Sequence, residues 1–245
     1  MVAALIWELE RTYANRGELD PMEGVKAVLF DLGDTLIRTA SVAKILQRIL
    51  SLYGVKRPLP EIEKACREAE LEISIEDYRL PYMEFWVKWN LRILKRLGIV
   101  EDLDRLSEEI VKVWWDNADV ELYPDVMETI KHLRERNLKL GIVTNGFKND
   151  IDEILPRVGL EGVFEIAVGV DAVGKPKPYK DIFLHAVERL GIRPHEALCV
   201  GDSLEMDYIG ALKAGLKAIL LDRDGVVRDK GVHKIRSLLE IVKHV

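Results

Sequence analysis

The sequence predicts an α/β protein: a Rossmann-like parallel sheet core interrupted by an inserted all-helical segment. Three observations predict it. From about residue 120, short apolar runs alternate with helix-period stretches, the rhythm of parallel strands joined by right-handed crossovers. Three of those runs, counting the one before residue 31, end in polar signals, at Asp31, Thr144 and Asp202. Between Leu36 and residue 120 the spacing is helical throughout, with no strand pattern.

The first run is Val25 to Phe30, where only Lys26 is polar, so it reads as a strand buried on both faces. It terminates in Asp31-Leu32-Gly33-Asp34-Thr35. In open α/β sheets, ligands bind beyond the carboxyl ends of the strands. Asp31 therefore reads as the reacting group.

Ahead of that strand, Leu5, Ile6, Leu9 and Tyr13 fall at helical spacing, and Gly17, Asp20 and Pro21 break the pattern. This predicts a helix over 2–16, packed outside the sheet or serving as a dimer contact. Helices are then expected over 39–53, 61–73, 82–97 and 103–117, so that 39–119 forms a helical cap between two core segments, 1–38 and 120–245. Trp86, Trp89, Trp114 and Trp115 lie in this stretch, either as a bundle core or as walls of a substrate pocket. The core resumes with a helix over 125–136 and a strand over 138–143 ending in Thr144-Asn145-Gly146. A helix over 149–158 follows, then a strand near 165–170 and a loop carrying Lys175 and Lys177. Next come a helix over 181–190, a strand over 197–200 running into Gly201-Asp202-Ser203, a helix over 205–214 and a strand over 217–221. The tail, 233–243, reads as a last helix.

Composition narrows the function. The 245 residues are 48% hydrophobic, enough for a sizeable core, and the net charge of -6 argues against nucleic acid as the main partner. An acidic protein that handles phosphate needs a local lysine or a metal. Cys66 and Cys199 are far apart and form no Cys-x-x-Cys pair, so neither zinc nor redox chemistry is signalled. No stretch reaches membrane-spanning length, and the start lacks the basic residues of a signal peptide. A cytoplasmic protein, monomeric or homodimeric, is the expectation.

Four motifs recur in order: FDLGDTL at 30–36, IVTNG ending the second apolar run, Lys177 in KPYKDIF, and VGDSLEMD at 200–207. Together they resemble the haloacid dehalogenase-like superfamily, most of whose members are magnesium-dependent phosphohydrolases. The resemblance covers about 160 residues, and the insertion falls where this superfamily often places a helical cap.

It implies hydrolysis of a small phosphorylated metabolite through an aspartyl-phosphate on Asp31. Asp31, Asp202 and the Gly33 carbonyl would hold Mg²⁺, with Asp207 as an outer acid orienting the metal site. Thr144, Asn145 and Gly146 would hold the phosphoryl group. Lys177 would balance charge, chosen over Lys175 because the family's lysine stands six residues before a phenylalanine, here Phe183. The chemistry asks for these types. Two like charges 4 Å apart at an effective dielectric near 20 cost roughly 4 kcal/mol, which a hard cation with oxygen ligands removes.

One position departs from the pattern. The phosphatases usually carry a second Asp two residues after the nucleophile, for acid–base work worth about 10²–10⁴-fold. Gly33 stands there, and Asp34 follows it. Either Asp34 replaces the missing acid, or the leaving group needs little protonation. Two other readings stay open: a metal-independent 2-haloacid dehalogenase, and a weak phosphate-binding regulatory protein.

Overall fold

The computed structural model describes residues 22–229 and 231–245; the helix expected over 2–16 lies outside them. Six parallel strands form the central sheet: β1 (Ala27–Phe30), β4 (Lys139–Val143), β5 (Ile166–Val168), β6 (Ala197–Gly201), β7 (Lys217–Leu221) and β8 (Lys234–Ile235). Their spatial order is β5-β4-β1-β6-β7-β8. The chain builds leftward from β1, then jumps to its other side at β6. The crevice between the carboxyl ends of β1 and β6 is therefore the topological switch point.

Strand periodicity divides the core. Val28 and Phe30 of β1, with Leu198 and Val200 of β6, face one layer; Ala27 and Leu29, with Ala197 and Cys199, face the other. The first face is covered by α5 (Val126–Glu135), α6 (Lys148–Arg157) and a 3₁₀ turn at Leu238–Lys243. The second is covered by α7 (Lys180–Leu190) and the short α8 (Gly210–Lys213). Gly141 sits mid-strand because an added Cβ would meet Ile166 and Leu29 at 2.8 Å.

Between β2 (Ile37–Arg38) and β3 (Glu121–Leu122), a two-residue antiparallel pair, lie four helices: α1 (Val42–Leu52), α2 (Leu59–Glu70), α3 (Tyr82–Arg96) and α4 (Leu103–Val113). They bury Leu46, Ile49, Ile62, Ile93 and Ile110 in a core of their own. A smaller aromatic cluster, Phe85 with Phe147 and Val170, joins this layer to the α/β core.

Three elements differ from the sequence expectation. The tail is not one helix: Lys234–Ile235 pairs with the open edge of β7, and only Leu238–Lys243 coils, its N-terminus capped by Ser237. The segment over 205–214 opens as a π turn, Leu204–Ile209, before α8. The wider coil turns Asp207 inward, and π turns often mark functional sites for such reasons. The β2–β3 pair is too short to show alternation. Among the described residues, no helix is long and apolar enough to cross a membrane.

Candidate active site

At the switch point, Asp31 ends β1, its backbone N–H donating to the Val200 carbonyl at 2.9 Å. Lys177, from the loop before α7, is buried, and its Nζ donates to Asp31 Oδ1 at 2.5 Å and to Asp207 Oδ1. Lys175 is engaged elsewhere, with Asp181 at 2.6 Å. Of the two candidate lysines, only Lys177 touches Asp31. Its peptide bond to Pro178 is cis.

Asp207 is buried, and its second oxygen accepts from the Ser203 N–H at 3.0 Å. Its carboxyl fills the space beside Gly201, where an added Cβ would lie 2.3 Å from it. That contact makes glycine the residue before Asp202. Asp202 is more exposed, and its Oδ1 accepts from Thr35 at 3.5 Å. Carboxylate oxygens of Asp31, Asp202 and Asp207 all lie within 4.8 Å of one another.

The electrostatics follow from that crowding. Burial pushes the Asp31 carboxyl up to about 7, with Asp207 and Asp202 adding to the rise and Lys177 opposing it. Burial works against the Lys177 charge, but Asp31 and Asp207 outweigh it, so the ammonium is held firmly protonated. Asp202 is raised by burial, by Asp207 and by Asp34. Three acids face one lysine, leaving excess negative charge among oxygen donors. That donor set fits a hard divalent cation.

Thr144 is buried at the end of β4, and its Oγ1 accepts from the Gly146 N–H at 3.2 Å, leaving its own hydrogen free to donate. The Asn145 side chain accepts from the Lys177 N–H at 2.6 Å and donates to the Lys177 carbonyl at 3.3 Å, so it braces the lysine loop, and what Asn145 can offer a phosphoryl group is its backbone N–H. Asp34 is exposed with φ of 52°, a left-handed conformation that Asp tolerates. Its charge is felt at Asp202 and Tyr123, and it is absent from the cavity beside Gly33.

That cavity, of about 250 Å³, opens between the Asp31 loop and the helical layer. Gly33, Thr144 and Gly146 border one side; Tyr82 and all four insertion tryptophans line the rest together with aliphatic residues including Val42, Ile45 and Val111. These indoles are thus both bundle core and cavity lining. Asp150, not singled out by the sequence, sits in the same wall. It accepts from Tyr82 at 3.0 Å, Trp115 Nε1 at 3.1 Å and the Phe147 N–H at 3.0 Å, tying helical layer to core. Burial raises its carboxyl against those three donors and the Trp86 indole. A weak signal existed: Asp at the third position of a helix is a capping-box acid. Arg223 was also not read from the sequence. It clamps Asp125 through two nitrogens, donates to the Thr35 carbonyl at 2.9 Å and stacks 3.9 Å from the Tyr123 ring.

The likenesses to known proteins agree with this arrangement. The chain is 31% identical over 233 residues to glyceraldehyde 3-phosphate phosphatase of Methanopyrus kandleri, covering 90% of this chain and 98% of that one. A solved HAD phosphatase from Thermococcus onnurineus is 28% identical and superposes with a TM-score of 0.60, over 89% of this chain and 97% of the other. A 2-haloacid dehalogenase from Pseudomonas syringae pv. Tomato DC3000 is 25% identical, with a TM-score of 0.69 over the same shares. The family model for the haloacid dehalogenase-like hydrolases matches residues 25–215, and the chain belongs to that family.

Proposed function

We propose that this chain is a Mg²⁺-dependent hydrolase of small phosphate monoesters that works through an aspartyl-phosphate on Asp31. One observation carries the reading: buried Asp31 is bound to Lys177 inside a trio of acids at the switch point of the sheet. Relatives named as phosphatases support it.

Asp31, Asp202 and the Gly33 carbonyl would hold the ion, which when bound offsets the negative charge of phosphate and carboxylates. Asp31 supplies the attacking oxygen. Lys177 stabilises negative charge on the transferring group, its position already fixed before substrate arrives. Thr144 and nearby backbone N–H groups donate to phosphoryl oxygens, and Asp207 keeps Lys177 aimed. Water then displaces the Asp31 oxygen from phosphorus, releasing phosphate. The helical layer over 39–119 acts as a cap that shields the reaction from bulk water.

The dehalogenase reading has one observation in its favour, the absent acid at Gly33. Asp202 weighs against it, because displacement of halide from carbon calls for no divalent cation. The test measures phosphate release from an aryl phosphate and acetyl phosphate with Mg²⁺ and with chelator, and chloride release from chloroacetate without metal. Mg²⁺-dependent phosphate release that vanishes in Asp31→Asn is expected. Chloride release with no phosphate release would replace this reading with the other.

A further inference from the structure

Beside Asp31 and Thr144 opens the cavity that Gly33, Thr144 and Gly146 border, a place for the leaving group of a bound phosphate. Three features of that space constrain what enters it.

The first is the walls. Trp86, Trp89, Trp114, Trp115 and Tyr82 share them with aliphatic side chains such as Val42, Ile45 and Val111, and among the described residues no Lys, Arg or His lines the cavity. Its one carboxylate, Asp150, already accepts three hydrogen bonds. The indole N–H of Trp89 is buried without a partner. The other polar side chains of the lining are Thr39 and Asn90, each already donating to a backbone carbonyl, and Thr144, so a hydroxyl-rich leaving group would exchange water for few new partners, and a carboxylated one would find no cation. A ring is suited to both walls and shape, because aromatic groups pair favourably edge-to-face and offset. The existing Trp86–Trp89 and Trp89–Trp114 contacts are already edge-on.

The second feature is size. A dry apolar cavity of about 150 Å³ accepts a benzene ring. The volume here, about 250 Å³, leaves room for a ring with a substituent.

The third is independent of the walls. At Gly33 an added Cβ would meet nothing within 4 Å, so no neighbouring side chain has moved into the place of the missing acid. Asp34 is exposed and is not among the residues that line the cavity. The motif thus supplies no acid at position 33, and the one carboxylate of the cavity wall, Asp150, is already committed to its own donors. A phenol, with pKa about 10 as in tyrosine, leaves as its anion far more readily than an ordinary alcohol. The aromatic walls and the missing acid thus favour the same ester.

We propose that the substrate class is aryl phosphate monoesters, with the aromatic ring seated among the cavity indoles. The inference rests on the phosphatase reading and narrows it. In the first step an Asp31 oxygen bonds to phosphorus, the bond from phosphorus to the aryl oxygen breaks, and the electron pair leaves on phenolate. The phenolate then takes a proton from water. In the second step water attacks phosphorus, the Asp31 oxygen departs with its electron pair, and the water proton passes to solvent.

Two measurements on the wild-type chain test this. The first compares kcat/KM, with Mg²⁺, for phenyl phosphate and hexafluoroisopropyl phosphate, whose leaving groups are similarly acidic but differ in the ring; acetyl phosphate reports the chemistry alone. At least a 10-fold preference for the phenyl ester is expected, carried in KM, and Trp86→Ala should erase it. The second follows indole fluorescence on addition of phenylphosphonate or methylphosphonate, which needs no turnover. Quenching by the aromatic phosphonate at 10-fold or lower concentration is expected. Equal kcat/KM for the two esters, or equal response to the two phosphonates, overturns the aryl proposal while acetyl phosphate turnover leaves the phosphatase reading standing. Loss of Asp31-dependent release from both esters and from acetyl phosphate overturns both.

Discussion

Asp31 and Asp77 are the same side chain, both almost fully buried, at 8% and 4% exposure, yet their carboxyls are driven in opposite directions. Asp31, at the core edge, rises to about 7, chiefly through burial, and it shares one lysine with Asp207. Asp77, in the helical layer, falls to about 2. Burial raises it, but Lys88 at 2.6 Å, the Ser74 N–H at 3.1 Å and Arg92 at 3.1 Å outweigh that. One region is arranged so that its charges cancel. The other keeps more negative charge than its lysine can balance. A surplus of that kind opposes folding and is retained where chemistry or a cation needs it.

The largest expected effect is at Asp31. Asp31→Asn should abolish turnover of acetyl phosphate, yet stabilise the metal-free protein at pH 8. The sign follows from linkage: a carboxyl raised from 3.8 toward 7 holds its proton longer when folded, so stability falls as pH rises through that window. The gain is at most about 4 kcal/mol and should vanish near pH 4. Thermal melts with chelator at both pH values check it. A loss of stability at pH 8 would mean that the Lys177 pair outweighs the crowding.

Asp77→Asn should do the reverse. Its depressed carboxyl contributes stability above the unfolded value of 3.8, lost as pH falls from about 4 toward 2. The variant should lose about 2 kcal/mol at neutral pH, a drop in Tm of several degrees, and acid melts should find wild type and variant converging near pH 2. No difference at pH 7 would show that Lys88, half exposed, binds too loosely to matter.

The smallest effects separate two glycines. Gly33→Ala should change stability by less than about 0.5 kcal/mol, because nothing meets the new methyl. Gly201→Ala must displace Asp207 and should cost both stability and activity. Urea melts and acetyl phosphate turnover of the pair tell them apart.

Much of this was readable from residues alone. The core strands announced themselves as apolar runs, and the polar residues after them are those gathered at the switch point. What could not be read were contacts whose partners lie far along the chain. Asn145 is a plain polar residue until its neighbour Lys177, 32 positions on, is placed against it. Asp150 takes its donors from Tyr82, 68 positions back, and Trp115, 35 positions back. The two-residue strands β2, β3 and β8 are too short for period to register; β8 covers the edge of β7, while β2 and β3 pair with each other across 83 positions of chain. The π turn follows from where Asp207 must point.

The grip on Lys177 has a consequence for motion. Its ammonium is pinned between Asp31 and Asp207, and its peptide is pinned front and back by Asn145. A residue on a loop has thereby become as immobile as one on a strand. Little reorientation remains for it when charge shifts on a bound group, so its share of the barrier is settled at folding. On the proposed cap reading, movement during turnover would belong to the helical layer, which meets the core near the cavity where Tyr82 and Trp115 donate to Asp150 and Phe85 packs on Phe147. What would open is aromatic, and the ammonium would stay still.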